Sequence, residues 1–161
     1  MKKTCILFLF MIFSFSCFSQ TVNQSYFPKD NEIDRQYKKE NQTWVNNSEW
    51  KAVILKYKSI WKQQMYLEME RLISIIPESE KQIRKNQKKW EEAIKSSFDL
   101  VAENVDFIKT GEITYIGEYL NEELLLYRER AKYYLCLYYT IKEQNLKGGS
   151  YIDVNKTELA N

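Results

Sequence analysis

The chain has 161 residues, 24 of them basic and 22 acidic, with no histidine at all. That near-neutral balance argues against a broad basic field for nucleic acid, and the missing histidine removes the commonest general base and the commonest zinc ligand together. Four glycines and two prolines are too few breaks for a strand-rich fold, so the expected class is all-α.

In chain order, Lys2 and Lys3 precede the apolar run Cys5 to Phe18, and Ser19, Gln20 and Thr21 follow it. This is the basic, apolar, small-residue order of a secretory signal. The run is shorter than the roughly 20 residues of a bilayer span. Residues 1–19 are therefore expected to be a cleaved signal peptide, giving a periplasmic or secreted protein with no transmembrane segment in the mature chain. Cys17 leaves a second route open, lipid tethering through its sulfur. Cleavage after Ser19 lowers the basic count from 24 to 22, equal to the acidic count. It also leaves Cys136 as the single cysteine, so no internal disulfide can form. With Tyr134, Leu135, Leu137 and Tyr138 around it, Cys136 reads as a small buried hydrophobe, the alternative being an exposed thiol that makes dimers.

Residues 20–45 are polar, contain Pro28, and read as a flexible lead-in in which Ile33, Tyr37 and Trp44 allow a short helix from Asn31 to Trp44. Asn46 with Glu49 then forms a capping-box signature. A long helix is predicted from there, with Trp50, Ile54, Tyr57, Trp61, Met65, Met69, Leu72 and Ile76 on one face and Pro77 as its stop. A second helix starts near Glu78 or Ser79. It carries Ile83, Trp90, Ile94, Phe98 and Val101 at the same spacing, with Gln87 in a polar gap. Lys109-Thr110-Gly111 makes a turn. The third helix holds Ile113, Ile116, Leu120, Leu124, Tyr127, Ala131, Tyr134, Tyr138 and Ile141 in register, and Gly148-Gly149 closes it. Residues 148–161 read as a flexible tail. Three long amphipathic helices joined by short connections predict an antiparallel bundle over residues 46–147, and a spare apolar face leaves a homodimer open.

The carboxylate pairs Glu91-Glu92, Glu118 with Glu122, and Glu122-Glu123 read as solvated helix surface, and no glycine-rich phosphate loop is present. Neither an enzyme, a cofactor nor a metal is expected. Charge is unevenly placed, however. Lys81, Arg84, Lys85, Lys88, Lys89 and Lys95 crowd the second helix, whereas Asp99, Glu103, Asp106, Glu112, Glu118, Glu122 and Glu123 face only Lys109. A hairpin of helices two and three gathers the acidic set around Gly111, as a docking surface for a cationic partner or as ordinary solvated surface. Trp61 and Trp90 fall on core faces. Tyr115, Tyr119 and Tyr133 lie off the main stripe of helix three and are the contact candidates.

Three groups of residues carry a family resemblance: Tyr57-Lys58-Ser59-Ile60-Trp61, Gln87-Lys88-Lys89-Trp90, and Gly111 followed by Leu124 and Arg128. Together they resemble the LprI-like domain family, exported bacterial helical domains named after a lysozyme inhibitor. In that family one helix carries Leu-Asn-x-x-Tyr, the next Gln-x-x-Trp followed by Arg and Cys, and a glycine-led third Cys, Leu and Arg. The resemblance spans roughly Trp50 to Tyr134. Lys58 stands for the family asparagine, Trp61 for the tyrosine and Ile94 for the arginine. Phe98 and Leu120 stand where the family's two disulfide cysteines would be, so these two side chains are expected to touch.

The resemblance implies a non-enzymatic binding module of the cell envelope that occludes a cationic, lysozyme-like hydrolase. Glu112, Tyr115, Glu118, Tyr119 and Glu122 are the expected contact residues. A structural or accessory envelope protein assembling through its helical faces is the alternative.

Overall fold

The computed structural model describes residues 22–104 and 113–146. The expected signal with Cys17, the turn at Gly111, Glu112 and the tail 148–161 lie outside them. Four α-helices lie among the described residues: α1 (Glu32–Glu40), α2 (Asn47–Ile75), α3 (Glu80–Asn104) and α4 (Ile113–Leu146). Single 3-10 turns occupy Gln24–Tyr26 and Pro77–Ser79, and no strand occurs among the described residues. The class is all-α.

Local chemistry explains the boundaries. Asn31 opens α1 by accepting hydrogen bonds from the Ile33 and Asp34 N–H groups. The helix ends at Glu40, short of the expected Trp44, because Asn41, Gln42 and Thr43 donate backbone bonds to Tyr37, Lys39 and Glu40 and tighten its last turn. Asn46 caps α2 through the Glu49 N–H at 3.0 Å. Glu49 reaches back to the Val45 N–H at 2.8 Å, one residue before the donor a capping box usually takes. Pro77 follows Ile76, whose backbone leaves the helical region, as a residue before proline tends to do.

The core is the seam between α2 and α4. Ile54, Tyr57, Trp61, Met65, Met69 and Leu72 are buried against Leu124, Tyr127, Ala131, Tyr134 and Tyr138. Paired positions rise together along the two helices. Trp50 lies on Gly117, Lys58 bonds Glu123 at 2.7 Å, and Arg71 covers the rings of Tyr138 and Tyr139. The two helices therefore run in the same direction. Helix α3 runs against both: Arg84 pairs with Glu70, Glu91 with Tyr66, Trp90 with Tyr127 and Phe98 with Tyr119. Its buried residues are Gln87 and Trp90, so α3 reaches the seam through long side chains.

Gly117 sets the close approach at one end of the seam. A Cβ there would lie 2.3 Å from the Trp50 ring. Overpacking costs about 1–3 kcal/mol, whereas alanine gains about 0.8–1 kcal/mol over glycine in a helix. Gly117→Ala is expected to destabilise by a net value on the order of 1 kcal/mol, seen as a lower urea midpoint with a changed tryptophan near-UV signal.

The expected flexible lead-in is instead a packed strap. Val22 is buried, the Asn23 N–H donates to Thr140 Oγ1 at 3.3 Å, and the Tyr26 ring lies 5.4 Å from Tyr139. Phe27 sits 6.3 Å from the Trp61 ring, with the Arg128 guanidinium 5.0 Å away over its face. These pegs follow no regular spacing, so periodicity does not find them.

Candidate binding face and groove

The residues that carry the family resemblance are mostly scaffold. Tyr57, Trp61 and Leu124 are almost fully buried in the seam. Gln87, the expected polar gap of α3, is only 3% exposed. Its Oε1 accepts from the Tyr134 hydroxyl at 2.9 Å and from Arg130 Nε at 3.2 Å, and its Nε2 donates to Glu91 at 3.2 Å. Satisfying a buried amide in this way avoids the cost of an orphaned polar group. Arg128 grips Asp34 of α1 through contacts of 2.6, 2.8 and 3.0 Å and lies over Phe27 and Trp61. It clamps the strap and α1 to α4. Gly111 lies outside the described residues.

The Phe98 ring packs edge-on against Tyr119 at 4.6 Å, one residue before Leu120, and Leu120 packs against the central cluster. The Tyr119 hydroxyl donates to the Phe98 carbonyl at 2.9 Å.

Of the five expected contact residues, three have described side chains. Glu112 lies outside the described residues, and Tyr115 falls in the first turn of α4 with its side chain outside them. Tyr119 is half-buried and turned toward α3. Tyr133 is half-buried against Tyr134 and Arg130. Glu118 and Glu122 do share an exposed strip one turn apart on α4, and neither forms an ion pair with a described residue. Leu125 follows on the same strip, 39% exposed. By contrast Asp99 is paired with Lys95 and Glu123 with Lys58, which removes them from any free acidic surface.

Next to that strip, between α2, α3 and α4, lies a groove of about 370 Å³, which the sequence did not reveal because its walls come from three helices. Tyr127, Tyr119 and Phe98 line it together with Lys62 and Glu123. Burial, followed by the nearby Glu123 and Glu91 carboxylates, pushes the Tyr127 phenol up to about 12. Burial and the hydrogen bond to Glu40 do the same to Tyr57, also to about 12.

Both phenols therefore keep protons that the unfolded chain releases near pH ~10. Their stabilising contribution is full below that pH and is lost as pH rises toward about 12. An alkaline titration followed at 295 nm should show a late-ionising tyrosine class, and unfolding in the same window.

Cys136 is fully buried, and burial raises its thiol. No group of metal-ligating side chains gathers among the described residues, and no described helix is long and apolar enough to cross a membrane. No family model, curated protein or solved structure matches the chain, so the LprI-like resemblance rests on the residues quoted for it.

Proposed function

We propose that the protein is an exported, non-enzymatic binding module of the cell envelope, related to the LprI-like domains, which occludes a cationic, lysozyme-like hydrolase. Its three long helices act as an antiparallel bundle that holds the docking face rigid. The observation carrying this reading is the strip on α4 where Glu118 and Glu122 stand exposed beside Leu125 with no ion pair to a described residue. Exposed carboxylates around an apolar anchor suit a basic partner surface, giving fast encounter and a defined register. Export rests on the basic and apolar start of the chain and places the module where such hydrolases act.

The test is a lysozyme-activity assay with the chain from residue 20 onward. Inhibition at micromolar concentration is expected, and the double charge reversal Glu118→Lys with Glu122→Lys should weaken it at least about tenfold, through loss of steering and pairing. Absence of inhibition at that concentration sinks the lysozyme assignment. The second reading, self-assembly through helical faces, is favoured by Leu67 and Leu100, 63% and 59% exposed. A strict monomer by light scattering at high concentration counts against it.

A further inference from the structure

The groove between α2, α3 and α4 offers an unusual balance of chemistry. Phe98, Tyr119 and Tyr127 supply ring surface. Tyr127 is only 7% exposed, lines the groove, and its hydroxyl makes no hydrogen bond to a described residue. The hydroxyl is not sealed off in the core, so it can donate to and accept from a ligand in the groove. Lys62 lies 5.4 Å from the Tyr127 ring centroid with no carboxylate in ion-pair reach among the described residues, so its three donors remain available.

The three carboxylates in the wall are already partly engaged. Glu91 accepts from Tyr66 and Gln87, Asp99 from Lys95 and Glu123 from Lys58. An ionised carboxylate has about four acceptor positions, so each keeps spare capacity, and the charges of Asp99 and Glu123 are countered by Lys95 and Lys58.

We propose that this groove is a saccharide-binding site that takes an uncharged sugar unit of a glycan chain. A sugar ring has an apolar C–H face suited to the aromatic floor, and a rim of hydroxyls that both donate and accept. The carboxylates meet the donated hydrogens, while Lys62 and the Tyr127 hydroxyl meet the sugar oxygens. An anionic ligand would meet Glu91, Asp99 and Glu123 at short range. A cationic one would meet Lys62 and Lys95. Neutrality is therefore the selected property. The groove's volume of about 370 Å³ falls in the ~300–1,000 Å³ range of small-ligand sites.

The experiment is an NMR titration of the chain from residue 20 onward with three tetrasaccharides. One is the neutral β-1,4-linked N-acetylglucosamine tetramer, one its cationic deacetylated form and one the anionic galacturonic acid tetramer. The neutral tetramer should bind, with the largest amide shifts in residues 91–99 and 119–127. Tyr127→Phe, which removes only the hydroxyl, should weaken it about five- to tenfold, the effect of one lost hydrogen bond. Lys62→Met should also weaken it, and Glu118→Lys with Glu122→Lys should leave it unchanged. No binding of the neutral tetramer in the millimolar range overturns the proposal. So does equal or tighter binding of either charged tetramer, binding that ignores Tyr127→Phe, or shifts centred elsewhere.

Discussion

Trp61→Ala is expected to destabilise the domain by about 3–5 kcal/mol, the range for truncating a buried aromatic. Trp61 is 1% exposed and touches two layers at once, the α2–α4 seam on one side and Phe27 with Arg128 on the other. Its loss opens a cavity that the strap and the seam cannot both collapse into. Domains of this size hold roughly 5–15 kcal/mol in total, so a large part of the stability is at stake. Trp61→Phe should behave differently. The indole N–H is buried with no hydrogen-bond partner among the described residues, so phenylalanine removes an unsatisfied donor along with some volume, and the cost should stay below about 1.5 kcal/mol. Urea melts followed by far-UV circular dichroism separate the two. Equal losses for both variants would mean that the cavity is not what matters.

The strap makes the second large effect. Phe27→Ala is expected to raise the labelling rate of Cys136 by a thiol-disulfide reagent on the order of tenfold to a hundredfold, while global stability falls by much less than the Trp61→Ala loss. Cys136 lies on the face of α4 that the strap covers, its sulfur close to the Phe27 backbone. Thr140, one turn on, accepts from the strap at Asn23. Removing the Phe27 ring takes away the peg between Trp61, Arg128 and Lys132, so the strap detaches more often and the thiol meets reagent in those openings. Arg128→Met should act in the same direction by releasing Asp34 as well. Labelling that stays at the parent rate in both variants would show that the thiol is shielded by the helices alone.

The long helices are legible because burial follows their period. From Ile54 through Ile76 the expected stripe of α2 is buried throughout, and Trp50 at its start is half-buried only because it lies at the end of the seam on Gly117. What periodicity misses is geometry between segments that are not adjacent in sequence. Gly117 sits inside an otherwise good helix, where glycine costs about 1 kcal/mol against alanine. That penalty is the one local sign of a close approach, and it names no partner. Gln87 reads as a gap in an apolar stripe, yet it is buried because Tyr134 and Arg130 of α4 meet it. Tyr119 lies off the stripe of its own helix, which suggests a free ring, but α3 supplies Phe98 to receive it. Helix-by-helix reading assigns a face to solvent when another helix takes it. Glu118 and Glu122 are legible for the opposite reason, since no described side chain comes to pair with them.

The arrangement of the strap and α2 around α4 also orders events in time. Asn23 meets Thr140 across 117 positions, Tyr26 meets Glu143 across the same separation, and α2 meets residues of α4 from Gly117 to Tyr139. During synthesis the first segments to emerge must therefore wait for the last long helix before they can bury their surfaces. Such non-local closure slows folding and delays it until nearly the whole chain is available. A nascent chain that stops before residue 113 should stay protease-sensitive, and one that reaches residue 146 should become resistant in a single step. Late closure of this kind keeps the polypeptide open until its last long helix is made.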